Sequence, residues 1–290
     1  NLANGESSII GAGTVLEGNL KSTSTLRIDG EIIGDVHSEG TVIVGTDGKI
    51  KGNIKVMDLL VAGTVIGDVT AENKIEIVAK NDTITFIQNT SNKNNKPTIV
   101  FVQGSLPISL ILKDNNDLWI NLPFDYTKFD KDVNIIIINR KGVPLISEYN
   151  DYSKLQNNPS NKYLKNDNLY YRVFQVEEVL KYLKKQKWIE KEKLFIVGHS
   201  EGYRVAAKVA ERNPKIKKIA CLAADPLNRI SENIIRLQQE NIALENDSIR
   251  VSKIYKEIND YKNLKNFNVK EKDMMNFVSY NENPPINSFK

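Results

Sequence analysis

Short runs of alternating hydrophobic and polar residues dominate the N-terminal quarter of the chain, from position 1 to position 75. One pattern recurs four times, at residues 14–20, 30–36, 48–54 and 63–69 (TVLEGNL, GEIIGDV, GKIKGNI and GTVIGDV). A glycine precedes the Asp or Asn of each copy, and these glycines are Gly18, Gly34, Gly52 and Gly67. A further apolar run separates successive copies, at residues 26–28, 42–44 and 59–61. Each repeat therefore offers two or three short strands with turns between them.

A repeat of this length and composition predicts a β-solenoid, in which each repeat forms one coil. Alternate side chains then point inward and stack on their counterparts in the next coil. Two inner ladders are predicted, one of Leu16, Ile32, Ile50 and Val65 and one of Leu20, Val36, Ile54 and Val69. Each Gly-Asp or Gly-Asn pair is predicted to turn a corner, where positive φ favours glycine. A sandwich of short hairpins is the alternative, and the regular period and lack of aromatic residues favour the solenoid.

These repeats, and above all residues 26–36 (LRIDGEIIGDV), closely resemble the bactofilin family over residues 8–72. The resemblance implies a right-handed β-helix that polymerises end to end into bacterial cytoskeletal filaments without a nucleotide. It also implies self-association through the β-helix ends, a cytoplasmic location and peripheral association with the inner face of the membrane. An exposed last coil would leave unpaired strand edges and an open apolar core. Another subunit or the rest of the chain is therefore expected to cover it.

The hydrophobic pattern changes after residue 74. Apolar runs at residues 75–78, 83–88, 98–102, 133–138 and 216–223 predict strands, and apolar positions at helical spacing predict helices over residues 171–186 and 203–213. Alternation of buried strands with helices predicts a three-layer α/β domain with a mostly parallel sheet. Residues 226–265 are predicted to form a charged helical cap. We therefore divide the chain into residues 1–74 and residues 75–290.

Composition supports this division. The stretch from position 1 to position 75 holds 12 of the 16 glycines and has no proline or aromatic side chain. It carries six Lys and Arg against ten Asp and Glu, a net charge of −4, whereas the rest carries 34 against 26, a net charge of +8. The basic excess lacks arginine–aromatic clusters, so a solvated surface is favoured over nucleic-acid binding. The single Cys221 excludes an internal disulfide, and no apolar run of about 20 residues is present to span a membrane.

The candidate chemistry lies at residues 193–202 (KLFIVGHSEG), where an apolar strand enters a Gly-x-Ser-x-Gly turn and a predicted helix leaves it. This is the strand, sharp turn and helix of a nucleophile elbow. Ser200 is the candidate nucleophile. The elbow is expected to require glycine at positions 198 and 202, Gly198 and Gly202, because the helix and the strand must approach closely there. The backbone N–H of Glu201 is a candidate oxyanion donor.

A second motif agrees with the elbow. Residues 101–105 (FVQGS) follow the first buried strand, where the α/β-hydrolase family carries its oxyanion loop. Residues 76–290 thus resemble that family, with Gln103 where a histidine is often found. The resemblance implies acyl transfer to water from a small ester or peptide substrate. It makes the N–H of Ser105, next to Gly104, a second candidate oxyanion donor. No cofactor is implied, and no metal-ligand spacing is visible.

A serine hydrolase also needs a histidine base and a carboxylate that orients it. The two histidines are His37, in the repeats, and His199, whose ring is expected to point away from Ser200 into packing. Asp225, just after the strand predicted at residues 216–223, is the best-placed acid. Without a base, the chain is predicted to hydrolyse no substrate efficiently. The family places the missing strands, acid and base after the point where residue 290 ends the sequence, which favours truncation over a true pseudo-hydrolase.

Two functions remain open from the sequence. The first is a serine hydrolase fused to a scaffolding or polymerising bactofilin-like β-helix. The second is a filament-forming structural protein with a degenerate or truncated hydrolase domain. Because the first residue is Asn1, processing or a fragment is also expected, and joining of two neighbouring genes is a third alternative.

Overall fold

A computed structural model describes residues 7–80, 82–89, 96–115, 117–128, 131–186, 188–216 and 218–224, and the isolated positions 252, 255, 256 and 259. Its first eleven strands are β1 Ser7–Ile10, β2 Val15–Glu17, β3 Leu20–Ser22, β4 Thr25–Ile28, β5 Glu31–Ile33, β6 Val36–Ser38, β7 Thr41–Val44, β8 Lys49–Lys51, β9 Ile54–Val61, β10 Thr64–Ile66 and β11 Val69–Ala79. They pair in parallel, each with its counterpart in the next repeat.

Three parallel ladders result. The first contains β1, β4, β7, β9 and β11, and the second contains β2, β5, β8 and β10. The third joins β3 to β6 and β6 to the start of β9, which pairs in turn with the start of β11. The long strands β9 and β11 thus belong to two ladders each. The N-terminal part is therefore built of stacked β-strands, as the repeat pattern predicts at the level of strand pairing.

Both predicted inner ladders are confirmed by the register. Ile32 pairs with Leu16 on one side and with Ile50 on the other, and Ile50 pairs with Val65. The second set pairs in the same way, Leu20 with Val36, Val36 with Ile54 and Ile54 with Val69. The interior members of these sets are fully buried. Burial of such stacked aliphatic side chains is the main stabilising contribution in this region.

A polar ladder runs along one corner of the stack. The side-chain oxygen of Asn19 accepts from the N–H of Asp35, Asp35 accepts from Asn53, and Asn53 accepts from Asp68, at 2.7–3.0 Å. Gly34, Gly52 and Gly67, which precede Asp35, Asn53 and Asp68, let the corners of adjacent repeats approach closely. At Gly34, for example, φ is +151° and a Cβ would lie 2.2 Å from the Gly18 carbonyl oxygen. The Gly-Asp and Gly-Asn pairs of the repeat therefore form the corner, as predicted.

Among the described residues, the second part of the chain adds eight strands, four helices and three 3-10 turns. The strands are β12 Asp82–Asn89, β13 Thr98–Val102, β14 Ile111–Asp114, β15 Asp117–Ile120, β16 Asn134–Ile138, β17 Ile146–Glu148, β18 Leu194–His199 and β19 Ile219–Leu222. The helices are α1 Tyr152–Asn157, α2 Asn161–Asn166, α3 Leu169–Leu183 and α4 Gly202–Arg212, and the 3-10 turns are Tyr126–Lys128, Tyr149–Asp151 and Lys191–Lys193.

The two parts share one continuous sheet. Strand β12 pairs antiparallel with β11 on one side and with β16 on the other. Beyond β16 the order is β13, β18 and β19, all parallel. The boundary predicted between residues 74 and 75 consequently falls inside β11. The composition changes there, but the strand continues because the buried residues Ile75 and Ile77 suit a coil and an open sheet equally well.

The continuous sheet determines what covers β11, the last strand of the first ladder. Strand β12 of the same chain occupies the free edge of β11, and the Gln88 side-chain amide donates to the Val69 carbonyl at 2.9 Å. One hydrophobic core extends from the N-terminal strand ladders into the layer between the sheet and helices α3 and α4. Phe86 and Tyr182 meet edge to face across this junction, with ring centroids 5.4 Å apart. Of the two expected covers, the second part of the chain is the one observed.

The opposite face of the α/β sheet has a different cover. Phe101, Ile135 and Ile137 alternate with the residues that face α3 and α4, and they form a separate apolar cluster. Among the described residues, the segment around β14 and β15 supplies much of that cluster's outer side, including Leu110, Leu122 and Phe124. Within the described residues, helices cover one face of the sheet and a hairpin segment covers the other, so the predicted three-layer α/β arrangement is seen there only in part.

Candidate active site

The candidate site lies at the carboxyl ends of two neighbouring parallel strands. After β13, the next strand of this sheet along the chain is β16, which pairs with β13 on one side, and β18 comes later and pairs with its other side. The connections leaving β13 and β18 therefore diverge, which opens a crevice at this edge of the sheet. Ser200 follows β18 directly, and residues 103–106 follow β13.

Ser200 occupies a sharp turn with an unusual backbone conformation. Its φ is +50°, in the left-handed region that residues other than glycine rarely adopt. The neighbouring glycines allow close packing: a Cβ on Gly198 would lie 2.5 Å from the Gly202 carbonyl oxygen, and a Cβ on Gly202 would lie 2.2 Å from that of Val102. Strand β18, the turn and helix α4 thus lie so close together that no side chain fits at either glycine position.

The loop after β13 lies directly against Ser200. An ideal Cβ built on Gly104 would be 3.0 Å from the Ser200 Cβ and 3.5 Å from its Oγ. Ser200 and Gly104 open onto a cavity of about 240 Å³. The remaining residues that border this cavity are Phe101, Gln103, Ser105, Leu106, Ile108, Asn121, Leu122, Pro123, Tyr152 and His199. The structure therefore brings the predicted nucleophile and the predicted loop, residues 104 and 105, to one cavity.

Arg172 connects the two motifs from inside the protein. It lies in the first turn of α3 and is only 3% exposed. Its guanidinium donates to the Gln103 carbonyl oxygen and lies 3.4 Å from the carboxylate of Glu201, which is itself 7% exposed. The side chain of Glu201 is therefore part of a buried ion pair. Its backbone N–H remains a proposed donor for an oxyanion.

Arg140 and Tyr163 hold the next two carbonyls of the same loop. Arg140, 4% exposed, donates to the Gly104 carbonyl oxygen and to the Asp167 carboxylate, and it bonds the Tyr163 hydroxyl at 3.0 Å. The Tyr163 hydroxyl in turn donates to the Ser105 carbonyl oxygen. Burial raises the pKa of Tyr163, so its hydroxyl remains a hydrogen-bond donor at neutral pH.

The other candidate residues do not complete a triad among the described residues. His37 lies in β6, paired with coil residues Lys21 and Lys55. His199 borders the cavity, and its backbone carbonyl oxygen lies 3.4 Å from the Gly104 Cβ position, while the expected packing of its ring stays a prediction. Asp225 and nearly all of the predicted cap lie outside the described residues. No cluster of three His, Cys, Asp or Glu that could hold a metal ion occurs in the described part.

Sequence reasoning missed Arg140, Tyr163 and Arg172. A signal for Arg172 was present, because it lies four residues before Val176 and seven before Val179, in line with the apolar face of its helix. A charged residue on such a face requires a buried partner. Arg140 follows the buried strand β16 by two residues, at the same sheet edge as the candidate loop. The distant segment that contains Tyr163 carried no comparable signal.

Comparison with known families identifies the N-terminal part. Residues 8–91 match the family model described as "Bactofilin: Polymer-forming cytoskeletal". The chain is also 23% identical over 103 residues to Bactofilin BacP of Myxococcus xanthus (strain DK1622). That alignment covers 36% of this chain and 40% of BacP. The resemblance seen in the repeats is thus confirmed, and the matched region runs past residue 72 to the end of β12.

Several solved structures are similar to part of this chain at low sequence identity. They include DcsB in complex with its substrate analogue (12% identity, TM-score 0.40, 60% of this chain and 55% of that chain). The α/β hydrolase GrgF from Penicillium sp. sh18 gives 12% identity and TM-score 0.39, covering 59% of this chain and 53% of that one. A post-proline cleaving enzyme from Rickettsia typhi gives 15% identity and TM-score 0.37, covering 55% and 21%. The chain spans less than two thirds of each of these relatives.

None of the helices in the described part is both long and apolar enough to cross a bilayer.

Proposed function

We propose that the second part of the chain is an acyl-transfer site of the α/β-hydrolase type, with Ser200 as the nucleophile. The observation that supports it best is the left-handed conformation of Ser200, at φ +50°, between two glycines whose Cβ positions are blocked by backbone. Strain of this kind persists where the surrounding structure enforces it, and such residues cluster at active sites. Here it directs a hydroxyl into a cavity at the switch point of the sheet.

The chemistry follows from this arrangement. The Ser200 Oγ attacks the carbonyl carbon of an ester or peptide and forms a tetrahedral intermediate that carries a negative oxygen. The N–H groups of Glu201 and of Ser105, beside Gly104, stabilise that oxygen, as donors preorganised toward developing charge do. The serine proton needs an acceptor for rapid attack. Because the sequence has no histidine after His199, we expect slow acylation and no efficient turnover of the chain as given.

A serine-reactive fluorophosphonate distinguishes this site from a purely structural domain. We expect slow covalent labelling of the wild-type chain, since the serine lacks a histidine base, and at least about a hundredfold slower labelling of Ser200→Ala, because the probe bonds to the nucleophile itself. Ser147→Ala, on β17 and outside the cavity, is the control and should label like the wild type. Intact-mass spectrometry with peptide mapping measures both. Labelling at another residue, or none in the wild type, would favour the degenerate domain of the second hypothesis.

We also propose that the N-terminal part is a right-handed β-solenoid that associates with a second copy of this chain. The asymmetry of the stack favours association through the first coil. At the last coil, β12 of the same chain occupies the edge of β11, and of the described strands there only β10 keeps an unpaired edge. At the first coil, among the described residues, β1, β2 and β3 each have a strand neighbour on one side alone. Exposed Ile9 and Val15 lie there. Two copies that meet first coil to first coil pair these edges.

Two matched substitutions test this association. Val15 and Ile66 lie at opposite ends of the second ladder, 55% and 53% exposed. We expect Val15→Glu to lower the associated fraction at least about tenfold, because like charges facing each other across paired strands repel. Ile66→Glu should leave association unchanged. Light scattering after size-exclusion chromatography and electron microscopy measure both. A monomeric wild type, or equal loss in both variants, would contradict association through the first coil.

A further inference from the structure

Three consecutive carbonyls of the loop that faces Ser200 are held by buried donors. Arg172 binds the Gln103 carbonyl, Arg140 binds the Gly104 carbonyl and Tyr163 binds the Ser105 carbonyl. All three donors are buried, with at most 4% of each residue exposed. None of them borders the cavity next to Ser200, whereas the three loop residues do. The loop is therefore held by hydrogen bonds from the protein interior on one side, and its other side faces the cavity.

The direction of the loop N–H groups follows from peptide geometry. All described peptide bonds are trans, and in a trans peptide the C=O of one residue and the N–H of the next point in opposite directions. Each bonded carbonyl therefore turns the following N–H, at Gly104, Ser105 and Leu106, away from the buried donor. A hydrogen bond to a peptide carbonyl also polarises that peptide and strengthens its N–H as a donor.

Arg172 adds a second constraint. The same guanidinium contacts the Gln103 carbonyl and the carboxylate of Glu201, the residue after the nucleophile. Both segments that supply proposed oxyanion donors are thus attached to one buried side chain on α3. Arginine suits this position because its planar guanidinium bonds two acceptors in a preset geometry, which the point charge of lysine does not reproduce.

We propose that Arg172 and Arg140 are positioning residues that set the spacing and the N–H direction of the oxyanion site beside Ser200. The proposal rests on the acyl-transfer function inferred above. Their charges are balanced locally, Arg172 by Glu201 and Arg140 by Asp167. The pair therefore acts through the backbone that it orients and contributes no free charge to the cavity wall.

The test compares Arg172→Met and Arg140→Met with Lys141→Met. Lys141 is the control because it is a partly buried cation next to Arg140, but it bonds Asp82 and the Thr83 carbonyl in the β11–β12 hairpin. We expect each arginine variant to label with a fluorophosphonate at least about tenfold more slowly, through the first-order bonding step and not through probe affinity. Lys141→Met should keep the wild-type labelling rate even where it lowers the melting temperature.

Amide NMR gives a second measurement that does not depend on labelling. We expect the cross-peaks of Gly104, Ser105 and Leu106 to shift or broaden in both arginine variants and to stay in place in Lys141→Met. Tyr163→Phe removes a single hydroxyl and serves if an arginine variant does not fold; it should shift Leu106 and slow labelling about threefold. Unchanged loop cross-peaks in correctly folded variants would overturn the proposal. A wild type that does not label would overturn the hydrolase function, and the loop cross-peaks would still decide the role of the arginines.

Discussion

Gly202→Ala is expected to destabilise the α/β part of the chain by about 3 kcal/mol, the upper end of the range for overpacking a closely packed interior. A Cβ at this position would lie 2.2 Å from the Val102 carbonyl oxygen and 2.5 Å from that of Gln103. Both obstacles are backbone atoms, so no side chain can rotate away. Helix α4 and strand β13 must separate instead, which opens the core between them.

The same substitution should also affect the candidate active site at Ser200. The Gln103 carbonyl that the new methyl group would displace is the one that Arg172 holds. Fluorophosphonate labelling of Ser200 should therefore slow together with the loss of stability. Trp119 and Trp188 both lie in the α/β part, so urea unfolding followed by tryptophan fluorescence reports on it.

Gly11→Ala is the matched control for this substitution. An added Cβ at Gly11 has no atom within 4 Å, and the φ of Gly11 is outside the left-handed region. A change within about 0.5 kcal/mol is expected there. Equal stability of the Gly202→Ala and wild-type proteins would contradict the close helix–strand approach on which the elbow depends.

Ile32→Ala is expected to cost about 3 kcal/mol of unfolding free energy, within the range for removing a buried isoleucine side chain to Cβ. Ile32 is 0% exposed and is stacked between Leu16 and Ile50, in the interior of its ladder. The strands on both sides are held by backbone hydrogen bonds, so the coils cannot collapse into the cavity that forms.

The adjacent residue is the control. Ile33 is the next residue of β5, points to the opposite face and is 38% exposed. Ile33→Ala should cost less than about 1 kcal/mol. Far-UV circular dichroism is the suitable measurement because the coil region has no aromatic side chain to report on its unfolding. Equal losses in the two variants would show that the ladder register is wrong.

The sequence alone predicts most of the coil region because its rules are local. A period-2 alternation places Ile32 inward and Ile33 outward, and the repeat spacing then places Ile32 next to Ile50. The same kind of reasoning located β13, β16, β18 and α4 to within a few residues. Helix α3 was predicted at residues 171–186 and is found at Leu169–Leu183, because the side chain of Asn168 caps it by accepting from the Tyr171 N–H at 3.0 Å.

The tertiary structure decided how the two parts are joined and how the loop is held. Antiparallel pairing of β12 with β11 and β16 merges the coil ladder with the α/β sheet, and no local pattern at the junction distinguishes that pairing from two separate domains. Likewise, Arg140, Tyr163 and Arg172 meet residues 103–105 across separations of 36 to 69 positions along the chain.

The nucleophile elbow shows most clearly which features follow from local sequence and which follow from tertiary structure. Gly-x-Ser-x-Gly between a strand and a helix identified Ser200 as the candidate nucleophile, because the backbone strain of so tight a turn is a local property. The burial of a charged guanidinium is not local, since it is tolerated only where distant carbonyls and carboxylates converge on it. The sequence by itself therefore determined the register of the N-terminal ladders, the strands of the main sheet and the candidate serine, but it did not predict β14, β15 or β17. Only the fold determined which side chains orient the backbone around that serine.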